Sequence, residues 1–172
     1  MKITVTEALG KISLIDKQID AELAAVAPYI AYTDNLKDPL EKDGGSKNFV
    51  KSRVQSVDDM LKNKNRLRVA INTANLSNKV TVAEETRSVA EWLIWRRECL
   101  PKQKHVVNQL LQAANNLRSR VNTSNQQHNQ SVGVVSNLDE KKLNEEVLKI
   151  QSIENNLDTQ LSLFNATTLV EV

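Results

Sequence analysis

Two histidines, one cysteine and scattered carboxylates are the residues with which this chain could make or break bonds. Cys99 and His105 are six apart, about 600° around a helix, so they do not share a face. His105 and His128 fall on different predicted elements and offer no metal-ligand spacing. Asp58-Asp59, Glu84-Glu85 and Glu145-Glu146 are adjacent pairs, and adjacent side chains on a helix diverge. No glycine-rich phosphate loop occurs. These residues read as solvated surface, and the chain reads as a non-enzyme without cofactor or metal.

Two other groups suit binding. Trp92 and Trp95 lie on one side of a predicted helix, followed by Arg96 and Arg97. Trp and Arg dominate interface hot spots, so these four form a candidate partner interface. The same two Trp could instead close one end of an aliphatic core. Lys62, Lys64, Arg66 and Arg68 alternate with Asn63, Asn65 and Leu67. They are candidate phosphate contacts, spread over a broad arc, with no aromatic between them to stack on bases.

The elements that must position these residues are helices. Thr4 with Glu7 forms a capping box, and Val5, Leu9, Ile12, Ile15, Ile19, Leu23 and Val26 continue as one stripe. Helix is predicted near 5–27, 47–75, 89–125 and 138–164, packed largely antiparallel. Val50, Val54, Val57, Leu61, Leu67, Ile71 and Ala74 line the second helix, with Lys64 interrupting the row. Ser88 with Glu91 caps the third, and Pro101 predicts a kink or break near Cys99–Leu100. Beyond it, Val107, Leu110, Ala114, Leu117 and Val121 form a heptad seam. Leu143, Val147, Ile150, Leu157, Leu161 and Phe164 line the fourth. Residues 33–46 and 122–136 read as loops.

Lys79-Val80-Thr81-Val82 alternates as a short strand. Ala83-Glu84-Glu85 turns it and Thr86-Arg87-Ser88 returns. The tail NATTLVEV (165–172) echoes NLSNKVTV (75–82), suggesting two equivalent helix-to-strand junctions. Thr168, Leu169, Val170, Glu171 and Val172 would then add a strand beside 79–82, or pair with a neighbouring subunit. The fold class is mainly α: an elongated four-helix antiparallel bundle or coiled coil with a small β-hairpin and a C-terminal strand. One helical domain, 1–172, is expected, with β elements near 79–88 and 166–172.

Composition agrees. The chain is 40% hydrophobic and 3% aromatic, with four Gly and three Pro, too few for a turn-rich β fold. No apolar run approaches about 18 residues, so no membrane span is expected. Glu7 and Asp16 interrupt the first stripe, which argues against a signal peptide. A single cysteine cannot form an internal disulfide and fits a reducing compartment. The net charge of +2 divides sharply: residues 46–125 carry +9 and the remainder −7. A basic block of this size can bind nucleic acid. Basic central helices lying beside acidic outer ones are the favoured explanation, since opposite charges flank helix seams in ordinary bundles.

The stretch RLRVAINTANLSNKVTVAEETRSVAEWL (66–93) resembles a family of helical phage and prophage proteins of unknown function, some labelled septicolysin-like. The opening ITVTEALGKISLIDKQID (3–20) and the ending LSLFNATTLVEV (161–172) resemble the same family. The resemblance supplies no catalytic residues. It implies a virion component or a phage-encoded accessory protein, made in the host cytoplasm. The expected function is a non-enzymatic structural and interaction protein, repeated within a bacteriophage particle. Its partners would be other virion proteins or itself, as a homo-oligomer. The runner-up is a basic nucleic-acid-binding phage accessory protein. A membrane-active protein, which the septicolysin label invites, comes third.

Overall fold

A computed structural model describes residues 1–128 and 131–172. The fold is mainly α, 75% helical, with two small antiparallel sheets. The order is β1 (Lys2–Thr4), α1 (Val5–Val26), α2 (Ser46–Ser77), β2 (Lys79–Val82), β3 (Glu85–Ser88) and α3 (Val89–Ile94). A π turn, Trp95–Cys99, leads into α4 (Leu100–His128), followed by α5 (Glu140–Thr167) and β4 (Leu169–Glu171). The chain divides into two compact units, Met1–Asn75 with Leu163–Val172, and Leu76–Ser162.

The first unit closes on its ends. β1 pairs with β4, Ile3 opposite Val170, and both side chains are buried. Met1 N donates to the Val172 carbonyl at 2.9 Å, and Val172 N–H donates to Met1 at 3.0 Å. Thr4 ends β1 and caps α1: its hydroxyl accepts from Glu7 N–H at 3.1 Å, while the Glu7 carboxylate accepts from Thr4 N–H at 2.7 Å. Val5, Ala8, Ile12 and Ile15 then point inward. α2 supplies Leu67, Ile71 and Ala74 to the buried set. Before α2, Gly44 and Gly45 have φ of +93° and +88°, which glycine adopts without steric penalty. Their turn brings Ser46 N–H to within 2.9 Å of the Asp38 carboxylate, which also accepts from Leu40 N–H.

The second unit repeats the junction. Val89 N–H donates to the Asn78 carbonyl at 3.0 Å, as Val5 N–H does to Thr168 at 3.0 Å. Ser88 and Glu91 form the capping box that Thr4 and Glu7 form in the first unit. The echo between 75–82 and 165–172 therefore reflects equivalent transitions. The partner expected for the tail is corrected: 169–171 pairs with 2–4, while 79–82 pairs with 85–88. A strand of three or four residues takes whichever unpaired edge the fold delivers to it. The N-terminal segment 2–4 supplies that edge.

Helix limits also shift. α4 continues to His128, so the first part of the expected 122–136 loop is helical; residues 129–130 lie outside those described. The kink or break expected near Cys99–Leu100 takes the form of a π turn, in which Leu100 N–H reaches back to the Trp95 carbonyl. A wider turn admits the proline ring without ending the helix. It also takes up one extra residue, which moves the inward row downstream. Positions 110 and 117 give way to 111 and 118. Leu110 and Leu117 are thus 36% and 50% exposed; of the expected seam Val107, Leu110, Ala114, Leu117 and Val121, these two are corrected, and the inward row runs through Leu100, Val107, Leu111, Ala114, Arg118 and Val121.

Two measurements follow. Leu157, fully buried, should cost about 2–5 kcal/mol when changed to Ala, whereas Leu117→Ala should stay within about 0.5 kcal/mol; urea melts compare them. The β2–β3 turn places Ala83 at φ +49° and Glu84 at φ +70°. Left-handed geometry costs an L-residue about 1–2 kcal/mol, and the paired positive φ values define a turn favouring Asn-Gly. Ala83→Asn with Glu84→Gly should therefore raise the thermal midpoint, and an unchanged or lowered midpoint would contradict this reading of the turn.

Candidate functional site

The Trp pair sits where β3 becomes α3. The Ser88–Glu91 cap starts α3 directly after the strand, and Trp92, one turn on, points inward with 2% exposure. Its indole Nε1–H donates to the Val80 carbonyl at 3.2 Å. The Arg87 guanidinium lies 4.7 Å from its ring centroid, and Trp95 stands edge-on at 5.6 Å. Trp92 is thus a core residue with its polar edge satisfied, which leaves it no face for a partner. Trp95 packs half-buried against Leu100, Val107 and Ile150. Arg96 pairs with Asp158 at 3.0 Å and Arg97 with Glu98 at 2.7 Å. Of the four residues Trp92, Trp95, Arg96 and Arg97, the first takes the core alternative, because the capping box turns it inward, while Trp95 is half-buried and the two Arg stay exposed. A cleft of about 220 Å³ remains beside it, lined by Arg87, Trp95, Lys149 and Ile153 among others.

The basic run does not form one surface. Lys62 pairs with Asp59 on its own helix at 3.1 Å, and Lys64 pairs with Asp16 of α1. Arg66 and Arg68 are exposed and hold no ion pair among the described residues. The stem of Lys64 sits half-buried in the apolar row it interrupts, its ammonium meeting the carboxylate.

Across helices, the charge division has a direct reading. In the first unit, Arg53 of α2 reaches both Glu22 oxygens of α1 at 3.0 Å. In the second, Arg96, Lys104 and Arg118 pair with Asp158, Glu154 and Glu140 of α5. Each cation belongs to the +9 block and each anion to the −7 remainder. The Arg118 hydrogen bond holds the Glu140 carboxyl below its ordinary range, and Glu140 in turn raises Arg118.

What these elements leave open is apolar. The π turn rotates Val106, Leu110 and Leu117 of α4 outward, and they are 55%, 36% and 50% exposed. With α5, Val106 and Leu110 border an open groove of about 330 Å³, floored by Val107, Leu143 and Ile150 and rimmed by Lys102, Gln103 and Glu146. On α2, Val54, Leu61 and Val69 are also exposed, about two turns apart. Exposed apolar surfaces of this kind suit binding. The sequence signal for the α4 row was present in its heptad, assigned there to the core. Among the described residues, no group of three or more His, Cys, Asp or Glu could hold a metal ion, and no helix is long and apolar enough to cross a membrane. No protein family, curated protein or solved structure matches the chain.

The two caps set an acid limit on stability. The Thr4 backbone hydrogen bond, with its hydroxyl, holds Glu7 below the usual carboxylate range. The Ser88 hydroxyl and backbone do the same for Glu91. A depressed folded pKa contributes stability above the unfolded value of about 4.3, lost as pH falls through the folded value. The thermal midpoint should therefore drop as pH goes from about 6 to about 3. Glu7→Gln with Glu91→Gln should flatten that drop; an equally steep acid limb would place the sensitivity elsewhere.

Proposed function

We propose that this chain is a non-enzymatic structural and interaction protein, repeated within a bacteriophage particle and assembled there from the host cytoplasm. The observation that carries the reading is the row of large apolar side chains exposed on α4, bordering an open groove. Contiguous exposed apolar surface marks a protein-binding face. The phage setting rests on the resemblance of 3–20, 66–93 and 161–172. A nucleic-acid role finds less support, because Lys62, Lys64, Arg96, Lys104 and Arg118 are engaged with carboxylates of the same chain.

Quantitative mass spectrometry of purified particles tests the proposal. The chain is expected in several copies per particle, and its absence from intact virions would overturn the reading. Affinity for DNA or RNA at about 50 mM salt, falling as salt rises, would favour the accessory role instead.

A further inference from the structure

The two ribbons correspond residue by residue. In the hairpin, Lys79 faces Ser88, Val80 faces Arg87 and Thr81 faces Thr86. In the other ribbon, Leu169 faces Thr4, Val170 faces Ile3 and Glu171 faces Lys2. Adding 90 to each β2 number and taking 84 from each β3 number converts the first set of pairs into the second. The fourth pair follows. Val82 with Glu85 becomes Val172 with Met1, which exchange hydrogen bonds of 2.9 and 3.0 Å.

The same two shifts run on into the helices. By 84, the Thr4–Glu7 cap becomes the Ser88–Glu91 cap, and buried Val5 and Ala8 become buried Val89 and Trp92. By 90, Leu67, Ile71 and Ala74 of α2 become Leu157, Leu161 and Phe164 of α5, and all six are buried. A helical period alone fixes such a match only to within a turn; its continuity with the strand register fixes it outright. The shifts differ by six because the stretch between the cap and the last helix is that much longer in the second half.

Each half therefore runs strand, helix, helix, strand, over 1–82 and 85–172, with α3, the π turn and α4 as one interrupted helix. The compact units do not follow these halves. The first takes Met1–Asn75 from one half and Leu163–Val172 from the other, and the second takes Leu76–Ser162. The last strand of each half thus lies in the unit built from the other half, paired with that half's first strand. We infer that the chain is two copies of one βααβ repeat that have exchanged their last strands, each strand a strap that completes the other copy's unit. Exchange of an identical element is how separate chains form a swapped dimer; here the Ala83-Glu84 turn joins the two copies into one. Val170 and Val82 are the buried side chains of the two straps.

Hydrogen exchange of the full chain tests it, because units that open separately report separately. Val170→Ala should speed exchange of the α1 and α2 amides by about tenfold or more, and leave 89–128 and 140–162 unchanged. Val82→Ala, in the strap of the other unit, should do the reverse. Strands that served their own halves would give the opposite pattern, and acceleration spread evenly by both variants would show no straps at all; either result overturns the inference. Cyclisation reads the register independently of any core substitution. Two residues separate Val82 from Glu85, so two should bridge Val172 to Met1. Joining them through Asn-Gly, which suits a two-residue hairpin turn, should raise the thermal midpoint by about 5 °C or more at unchanged circular dichroism. A direct peptide bond between Val172 and Met1 should melt below the Asn-Gly form, since it leaves no residue to make the turn. No gain from Asn-Gly, or an equal gain without it, would overturn the equivalence of the ribbons and the repeat with it.

Discussion

Short strands cannot stand alone in water, and that constraint organises this molecule. Each of the four strands among the described residues has three or four residues, and each is held by one neighbour and by a helix that begins or ends beside it. The decisive bond is the backbone N–H of the first helical residue donating to the carbonyl just before the partner strand: Val5 to Thr168, Val89 to Asn78. It leaves a capping residue free to turn the chain, and a carboxylate three residues on secures the turn. Both ribbons therefore fix where a long helix starts and which face it shows to the core. In the first unit this bond couples residues at opposite ends of the sequence, so β1, α1 and the end of α5 form one cooperative piece.

From equivalent caps the two units diverge through one inserted residue. After Val5 and Ala8, α1 keeps its row inward at Ile12 and Ile15. After Val89 and Trp92, the π turn intervenes and the inward row resumes at Leu100. Proline offers a local reason, because its ring conflicts with the carbonyl one α-turn earlier. The consequence is felt far from Pro101. Every later position of α4 is rotated, and Leu110 and Leu117 become surface while Arg118 takes a place at the seam and meets Glu140. A helix that would have hidden its leucines presents them.

The charge pattern belongs to the same logic. Narrow apolar seams between helices leave their flanks to polar residues, and here cations from α2 and α4 meet anions from α1 and α5 within their units. Exposed pairs of this type contribute little to stability individually. Their value lies in pairing the right faces, since a slipped register would set like charges together.

The sequence by itself determined what is local. Thr4 with Glu7 and Ser88 with Glu91 announced their helices because a capping box needs four consecutive residues. The alternation of 79–82, the Asp38-Pro39 and Gly44-Gly45 loop, and the charge division were legible for the same reason. Tertiary structure decided what depends on distant partners. The strand at 2–4 carries too few residues to declare itself and exists because 169–171 lies alongside; the tail's own alternation could not say which edge it would meet. Trp92 read as anchor or core residue by type and spacing, and the contacts with Val80 and Arg87 made it core. The heptad at 107–121 placed Val107, Ala114 and Val121 correctly and Leu110 and Leu117 wrongly, because a helical period gives relative angles, while the flank of the row that meets a partner is set by every turn before it, including the one that is wider than the rest.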